Sequence, residues 1–286
     1  MKHGSCYIKT VPTILEHLDL VEQLLKRSRF GLITDADGTI SPTAPTPQQA
    51  RVSPLCYRYL SILRNQLALV AVISGRAVQD LKDMVNIEGV QYVGNHGMER
   101  WIDDHSEFTK EVGGYPAIIQ AAVGELAPLL SIEGIIIENK GITATIHYRL
   151  CRDHRAAKRD IMAVLSNSAS AKGLRIMQEN KYAINLLPPV EVSKGTAVLE
   201  LIKEYDLRSG VYLGDDITDI DAFRALRSAC HDMDFRGLAI GIAGPEMPEE
   251  LTAEVDFTLN GVRDVERFLE WMSRTTAQPS KDSTNV

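Results

Sequence analysis

The sequence has little cysteine, no long apolar run and no excess of basic residues. Its four cysteines, Cys6, Cys56, Cys151 and Cys230, are widely scattered and form no Cys-x-x-Cys pair. This pattern argues against a disulfide framework or a zinc site and predicts reduced thiols in a cytoplasmic protein. No apolar run reaches the length of a membrane span, and the first residues lack the apolar region of a signal peptide. We therefore expect no membrane partner.

The charge is acidic overall but uneven along the chain. The formal net charge is -7 over 286 residues, which argues against a nucleic-acid-binding protein. Residues 140–181 nevertheless hold nine lysines and arginines against three acidic residues. This basic stretch is compatible with ordinary exposed helices, or with a local field that attracts an anionic substrate. The length suits one large domain or two modest ones.

Short apolar runs alternate with helical patterns in both halves of the chain. Runs at residues 30–34, 68–74, 211–213 and 238–242 predict buried strands, because they are brief and bounded by Gly, Asp or Ser. Ser193 and Thr218 are predicted N-caps of two helices that follow. This alternation predicts an α/β fold with a doubly wound parallel sheet, covered by helices on both faces.

The middle of the chain has a different pattern. Residues 141–150 alternate strictly, with apolar side chains on one face and Thr143, Thr145, His147 and Arg149 on the other. This predicts a half-exposed strand with one polar side. Residues 135–137 and 182–187 are candidate partner strands, and residues 116–130 and 155–166 are candidate helices. We therefore predict an α+β unit at residues 105–187, inserted into an α/β core formed by residues 1–104 and 188–286.

Carboxylates follow the first predicted strand. Residues 35–39 read Asp-Ala-Asp-Gly-Thr, directly after the apolar run. Ligands of open α/β sheets bind at the carboxyl ends of the strands, and two carboxylates this close repel each other unless a cation lies between them. Gly38 allows a sharp backbone turn. A polar strand-end turn is the alternative, but the glycine and threonine after a buried strand favour a functional site.

A second acidic cluster follows the strand predicted at residues 211–213. Asp215, Asp216, Asp219 and Asp221 fall within seven residues. An oxygen-rich site of this kind suits Mg²⁺, which binds through a few carboxylates and substrate phosphate. Asp219 and Asp221 are also compatible with a simple interaction with the helix dipole. That alternative fits Asp221 better than Asp215.

Two smaller motifs have the properties of a phosphate-binding site. Ser74, Gly75 and Arg76 end the second predicted strand, where a hydroxyl and backbone N–H groups can hold phosphate oxygens, although for this motif alone a simple helix cap is the better explanation. Lys194 follows Ser193 at a helix start, where an anion is favoured and a lysine adds a point charge. Its position between the two acidic motifs distinguishes it from an ordinary exposed lysine.

These four motifs, in this order, resemble the haloacid dehalogenase (HAD) superfamily. Further strings narrow the resemblance: residues 94–99 read Gly-Asn-His-Gly-Met-Glu, residues 138–141 read Glu-Asn-Lys-Gly, and residues 147–149 read His-Tyr-Arg. Together with residues 192–195 and 214–223, they are similar to the trehalose-6-phosphate phosphatase family. The resemblance covers residues 30–272. It implies a Rossmann-like HAD core and an inserted α+β cap of the C2 type, which closes over the substrate.

The resemblance implies a magnesium-dependent phosphatase. Asp35 would attack phosphorus and form an aspartyl-phosphate, and Asp37 would act as acid and base. The implied catalytic residues are Asp35, Asp37, Ser74 and Lys194. The implied Mg²⁺ ligands are Asp35, the Asp37 carbonyl and Asp215, with Asp216 and Asp219 as supporting or occasional ligands. The substrate would be a small sugar phosphate, and a partner synthase is compatible with the resemblance although no residue indicates one.

The cap is expected to choose the sugar. The candidate substrate-binding residues are Gly75, Arg76, Asn95, His96, Glu138, Lys140, His147, Arg149 and Asn185; His96 and Glu99 are equally compatible with packing or hinge roles. The chain departs from the family with Asn139 in place of Asp, Asn185 in place of Glu and Leu187 in place of Arg. These departures leave open another glycosyl phosphate, such as glucosylglycerol phosphate. A non-catalytic sugar-phosphate sensor and a phosphate-transferring mutase are further alternatives.

Overall fold

A computed structural model describes residues 11–179, 181–244 and 249–277. Cys6 lies outside the described residues, as do the two ends of the predicted core. Among the described residues, the strands form two separate sheets, one of eight strands and one of four. No helix in the described ranges has both the length and the apolar character that crossing a membrane requires.

The large sheet is mostly parallel. Its strand order is β12-β11-β10-β1-β2-β3-β4-β5, and the bounds in chain order are β1 Phe30–Thr34, β2 Leu69–Ile73, β3 Gln91–Gly94, β4 Glu99–Ile102, β5 His105–Phe108, β10 Ser209–Gly214, β11 Arg236–Ala243 and β12 Phe257–Asn260. The six strands from β12 to β3 pair in parallel, and only β4 and β5 are antiparallel. The α/β fold with a parallel sheet is thus confirmed, including the four strands predicted from apolar runs.

Helices cover both faces of the large sheet. They are α1 Leu18–Leu25, α2 Pro54–Leu63, α3 Val78–Val85, α6 Lys194–Glu204, α7 Asp219–Asp232, α8 Glu249–Thr252 and α9 Gly261–Thr276. Successive side chains of β1 point to opposite faces, so Leu32 packs with α2, α3 and α9, whereas Ile33 packs with α6 and α7. All five residues of β1 are buried, as expected for a central strand between two layers of helices.

The small sheet is antiparallel and has helices on one face. Its order is β6-β7-β9-β8, with β6 Ile136–Asn139, β7 Ala144–His147, β8 Arg175–Glu179 and β9 Ala183–Leu187; the helices are α4 Tyr115–Leu129 and α5 His154–Asn167. Ala144, Ile146 and Tyr148 pack with both helices in one apolar cluster. This part of the predicted apolar face is therefore buried, whereas Leu150, predicted on the same face, is 50% exposed.

The opposite face of the small sheet corrects one prediction. Thr143 and Thr145 are 1% and 2% exposed, although the alternation predicted a half-exposed polar side. The large-sheet unit covers this face: Thr143 donates a hydrogen bond to Asn95, 2.5 Å away. Strand β5 also belongs to the large sheet, although it begins at residue 105, where the predicted inserted unit begins. The chain passes from the large sheet to the small sheet between β5 and β6.

Candidate active site

Three adjacent strands of the large sheet bring the predicted motifs together. β10, β1 and β2 lie side by side in parallel, so their carboxyl ends meet at one edge. Asp215 follows β10, Asp35 follows β1 and Ser74 follows β2. Lys194 reaches the same point from the first residue of α6. The strand-end motifs of distant chain segments therefore converge because of strand order alone.

Three carboxylates form a group that could hold a metal ion. One oxygen from each of Asp35, Asp215 and Asp219 lies within 4.8 Å of the others, and all three residues are buried. Gly38 permits this arrangement, because its φ is +90° and a Cβ there would lie 2.0 Å from Asp215 Oδ2. The turn after β1 can therefore press its backbone against Asp215 only with glycine at this position.

Burial and mutual repulsion favour the protonated forms of two of these acids. Burial, together with the charge of Asp219, raises the pKa of Asp35 to about 6, although Lys194 acts in the opposite direction. Burial also raises the pKa of Asp215 well above its usual value, with Asp35 and Asp219 adding to the effect. Buried carboxylates with raised pKa values gain most from a bound cation, which would favour their ionised forms.

Asp219 acts as the fixed partner of Lys194. The Lys194 ammonium lies 2.7 Å from Asp219 Oδ1 and 2.8 Å from Asp35 Oδ1. The Tyr212 hydroxyl donates to Asp219 Oδ1 at 2.6 Å, and the backbone N–H groups of Asp215 and Asp216 donate to its other oxygen. Burial alone would raise the pKa of Asp219, but Lys194 and these hydrogen bonds lower it. Asp219 therefore orients the loop and the lysine as much as it could serve a metal.

Asp216 lies near the group but outside it. Its Oδ1 accepts a hydrogen bond from the backbone N–H of Ile217 at 2.7 Å, which fixes the carboxylate within its own loop. Asp216 lines the pocket above Asp35, whereas Asp215 faces the three-carboxylate group. The two neighbouring acids of the Gly-Asp-Asp motif thus point to different sides.

The residues present fit a divalent cation. The Lys181 ammonium lies 2.6 Å from the Asp37 carbonyl oxygen and 3.0 Å from Asp215 Oδ2, two of the three oxygen groups implied as Mg²⁺ ligands. The charges of Asp215, Asp216 and Asp35 outweigh the effect of burial and raise the pKa of Lys181 well above its usual value. A positive charge is therefore favoured at this point, and oxygen ligands are those that Mg²⁺ prefers.

Arg76 holds the second aspartate of the first motif. Its guanidinium donates two hydrogen bonds to the Asp37 carboxylate, at 2.6 and 2.8 Å, and a third to the carbonyl of Pro47. Burial alone would raise the pKa of Asp37, but the hydrogen bonds and charge of Arg76 lower it. The bidentate geometry fixes the direction of the carboxylate as well as its charge.

A polar pocket lies between the two sheets. The predicted residues that line it are Asp35, Asp37, Ser74, Gly75, Arg76, His96, Glu138, Lys140, His147, Arg149, Asn185, Lys194 and Asp216. Glu138 accepts a hydrogen bond from His147 at 2.8 Å, and the Lys140 ammonium reaches across to the Gly75 carbonyl oxygen at 2.9 Å. Residues of the small sheet thus face the strand ends of the large sheet across one cavity.

Asn95 is the one predicted substrate-binding residue that is absent from the pocket lining. Its side chain is fully buried, donates to Glu99 at 2.7 Å and to the Lys140 carbonyl at 3.2 Å, and accepts from Thr143. Glu99 also accepts from the backbone N–H of Val78. The Asn95 amide is therefore used in a polar connection between the two sheets, and this geometry favours the junction role for Glu99.

Lys181 is the main site residue that the sequence reasoning missed. It lies two residues before β9 and is the last residue of the basic stretch at residues 140–181. Thr145 was assigned only to a polar face, yet it lines the pocket and donates to Asn185 Oδ1 at 2.5 Å. The basic stretch was an available signal for Lys181, because an isolated excess of lysine and arginine indicates a surface that faces an anion.

Sequence comparisons relate the chain to proteins named as trehalose-phosphate phosphatases. The family model described as Trehalose-phosphatase matches residues 33–239. An uncharacterised glycosyl hydrolase of Mycobacterium tuberculosis is 31% identical over 234 residues, covering 78% of this chain and 17% of the relative. The trehalose-phosphate phosphatase of Mycobacterium ulcerans is 29% identical over 287 residues, covering 98% of this chain and 70% of the relative. The chain thus spans less than a fifth of the first relative.

A comparison with solved structures supports the fold. The C-terminal domain of trehalose-6-phosphate phosphatase from C. albicans superposes with a TM-score of 0.75 and 21% sequence identity. The match covers 93% of this chain and 98% of that domain. At this identity the likeness establishes a shared architecture, and the assignment of chemistry rests on the residues of the site.

Proposed function

Because this chain belongs to the trehalose-phosphatase family, we propose that it hydrolyses trehalose 6-phosphate to trehalose and inorganic phosphate. One observation carries the proposal: the carboxylates of Asp35 and Asp215, from distant parts of the chain, lie in one buried cluster beside Lys194. A polar pocket opens directly above this group and is lined by the second sheet. This is the arrangement that phosphoryl transfer needs, with a nucleophile and positive charge at one point.

In the first step, an Asp35 oxygen attacks phosphorus and forms an aspartyl-phosphate while the bond to the sugar oxygen breaks. Asp37 delivers a proton to that oxygen. In the second step, Asp37 takes a proton from the water that attacks the aspartyl-phosphate, and free phosphate leaves. The ionised carboxylate that Arg76 favours suits this second step, whereas proton delivery in the first step requires the protonated form. Dividing the reaction in two avoids direct attack of water on the substrate.

Positive charge and hydrogen-bond donors surround the transferring group. Ser74, Gly75 and Lys194 line the pocket together with Asp35, and they offer a hydroxyl, a backbone N–H and an ammonium group. Lys194 is 3% exposed, so its charge acts in an environment that water screens poorly. These donors are fixed before the reaction begins, and such preorganised groups supply most of the rate enhancement in phosphoryl transfer.

Mg²⁺ completes the proposed site. It would be held by the Asp35 carboxylate, the Asp37 carbonyl oxygen and Asp215, with Asp219 and Asp216 fixing the loop beside it. When bound, it would neutralise charge that develops on the phosphoryl oxygens. The observation that supports this proposal is the Lys181 ammonium, which the same core oxygens accept as a cation.

We propose the same division of labour between two units that the sequence suggested: a core at residues 1–104 and 188–286, and a cap at residues 105–187. Strand β5 is then a part of the cap segment that stays attached to the core sheet. The cap would close over the sugar and exclude water. A cytoplasmic location remains a prediction from the scattered cysteines.

The cap pocket supports a second candidate substrate. Asn185 places a neutral amide where the family has a carboxylate, and its oxygen already accepts a hydrogen bond from Thr145. Leu187 packs in an apolar cluster with Met98, Val112 and Ile142, away from the pocket. Two charged residues that are usual in the family are thus missing here, and one of them, at position 185, would line the pocket; this favours another glycosyl phosphate such as glucosylglycerol phosphate.

Phosphate release across a panel of sugar phosphates tests the proposal. We expect trehalose 6-phosphate to be hydrolysed much faster than glucose 6-phosphate, and glucosylglycerol phosphate would lead if the second candidate is correct. Asp35→Asn is the control, because it keeps the shape of the side chain but removes the nucleophile; we expect turnover to be lost. Equal rates for trehalose 6-phosphate and glucose 6-phosphate would refute the substrate, and an active Asp35→Asn enzyme would refute the nucleophile.

A further inference from the structure

His96 is a buried imidazole ring whose polar atoms are unused. The residue is 5% exposed, and neither Nδ1 nor Nε2 has a hydrogen-bond partner among the residues that the structure describes. A buried polar group without a partner weakens the folded state, so such groups are rare in proteins and call for an explanation. The ring also lines the pocket that holds Asp35 and Lys194.

The backbone holds this ring against the phosphate-binding loop. The backbone N–H of His96 donates a hydrogen bond to the Ser74 carbonyl oxygen at 3.0 Å. A Cβ placed on Gly75 would lie 2.5 Å from His96 Cε1 and 2.7 Å from Nε2, so only glycine leaves room for the ring. His96 itself has a φ of +59°, an uncommon conformation for histidine. Strained residues of this kind persist where surrounding structure holds them, and they cluster at ligand sites.

The charges around the ring select an anion. Burial lowers the pKa of His96 well below its usual value, and the charges of Lys140, Lys194 and Arg175 add to this effect. The ring is therefore neutral and offers one N–H donor and one lone pair. A cation is disfavoured beside two lysines, whereas a phosphate oxygen accepts hydrogen bonds readily. The ring and both lysines border the same cavity.

We propose that His96 is a substrate-binding residue whose ring N–H donates a hydrogen bond to a non-bridging oxygen of the bound phosphoryl group. This inference rests on the proposed function, since it assigns the donor to the phosphate of that reaction. It accounts for the missing partner, for the glycine beside the ring and for the strained backbone. A ring that merely fills space would need no polar atoms.

Two variants with the same backbone strain isolate the hydrogen bond. His96→Leu removes both ring nitrogens, whereas His96→Gln keeps an N–H donor on a side chain of similar length. Binding of inorganic phosphate to the Mg²⁺-loaded protein, measured by calorimetry, is the readout. We expect His96→Leu to raise the dissociation constant of phosphate by roughly 10-fold or more, the worth of a hydrogen bond to a charged group. His96→Gln should stay within a few-fold of the wild type.

Thermal unfolding distinguishes this role from packing. His96→Leu removes the two unpartnered ring nitrogens, so its melting temperature should equal or exceed that of His96→Gln. Phosphate affinity equal in wild type and His96→Leu, or equally weakened in both variants, would overturn the proposal. Because no sugar is present, loss of phosphate binding in His96→Leu supports it even in a chain that fails to hydrolyse trehalose 6-phosphate.

A second measurement needs no apolar variant. In the wild-type protein with ¹⁵N-labelled histidine, phosphate should shift a ring nitrogen signal that is missing from His96→Gln. If no histidine ring signal moves when phosphate saturates the protein, the inference is wrong. This experiment also covers the case in which His96→Leu does not fold.

Discussion

Lys194 is a buried cation whose ammonium lies between two buried carboxylates. It is 2.8 Å from Asp35 and 2.7 Å from Asp219, and only 3% of the residue is exposed. Three groups that would each be costly to bury alone are stable together because their charges compensate. The same contact orients Asp35, so at this residue the stability of the fold and the geometry of the site depend on one interaction.

Replacing this lysine should therefore destabilise the whole chain. Lys194→Met removes the positive charge that lies between Asp35 and Asp219, and we expect the free energy of unfolding to fall by on the order of 3 kcal/mol. Lys203→Met, at an exposed position of the same helix, is the matched control and should change it by less than about 0.5 kcal/mol. Denaturant unfolding measures both. Equal stability of the two variants would show that the buried contacts are not compensating.

Glu138, in the proposed cap, makes the stability of the folded state depend on pH. Burial alone would raise the pKa of Glu138, but the hydrogen bond from His147 and the charges of Lys140 and Arg76 lower it to about 2. A carboxylate with a lowered pKa stabilises the folded state above its unfolded pKa, and this contribution is lost as the pH falls toward 2.

Glu138→Gln should therefore cost stability at neutral pH and cost progressively less in acid. We expect a loss on the order of 2 kcal/mol at pH 7 that shrinks as the pH falls below about 4.5. Unfolding by urea at several pH values measures the difference from the wild type. Glu88→Gln, at an exposed position, should show no such trend. A difference that stays constant between pH 7 and pH 3 contradicts the assignment.

At the scale of elements, helices α6 and α7 show two ways to begin beside the site. Ser193 caps α6 as predicted: its side chain accepts a hydrogen bond from the Gly195 N–H, and the Ser193 backbone N–H donates to the Thr196 hydroxyl. Thr218 precedes α7, also as predicted, but has a helical backbone and makes no side-chain cap bond. The Asp219 carboxylate binds the preceding N–H groups instead. At the start of α7, hydrogen bonds that the Asp219 carboxylate accepts from the preceding loop therefore replace a side-chain N-cap.

The N-cap of helix α6 can be tested separately from the active site. Ser193→Ala removes the acceptor and should lower the free energy of unfolding by about 1 kcal/mol. Ser193→Asn retains a side-chain oxygen with a similar capping preference and should stay close to the wild type. Thermal or urea unfolding measures the comparison. If asparagine costs as much as alanine, the hydrogen bond is not what stabilises the start of this helix.

At the scale of the whole molecule, the proposed cap places a positive charge beside the carboxylates of the proposed metal site. Lys181 belongs to the cap segment, yet its ammonium contacts the Asp37 carbonyl and Asp215 of the core. Asn95, Thr143 and the Lys140 backbone form a second polar connection between the units. Closure of the proposed cap and binding of the proposed Mg²⁺ would therefore involve the same oxygens.

Removing the Lys181 charge should strengthen metal binding. We expect Lys181→Met to lower the dissociation constant of Mg²⁺ at least about fivefold, because a competing charge a few ångströms away is worth about 1 kcal/mol even in water. Calorimetric titration of Mg²⁺ into protein stripped with EDTA measures this, and the stripped wild type should lose activity until Mg²⁺ returns. Lys172→Met, an exposed cap lysine, is the control. Unchanged Mg²⁺ affinity in Lys181→Met would show that the two cations do not compete.

Local patterns were sufficient for much of this protein. The apolar runs predicted the four central strands, and the strict alternation predicted β7, because burial imposes periods that are visible in a single sequence. Asp35, Ser74 and Asp215 could be grouped in advance, since each follows a strand and the ends of parallel strands meet at one edge. The family resemblance also came from short contiguous motifs.

By itself, the sequence determined the four central strands, the strand β7 and the motifs at the carboxyl ends of the central strands, since each of these depends on neighbours along the chain. Only the tertiary structure decided which groups from separate segments of the chain meet: Arg76 on Asp37, Lys181 on Asp215, Asn95 under the pocket rather than in it, and the unpartnered His96 ring against Gly75. The physical reason is that hydrogen bonds and ion pairs between segments far apart in the chain depend on how whole elements pack, and no local period records that packing.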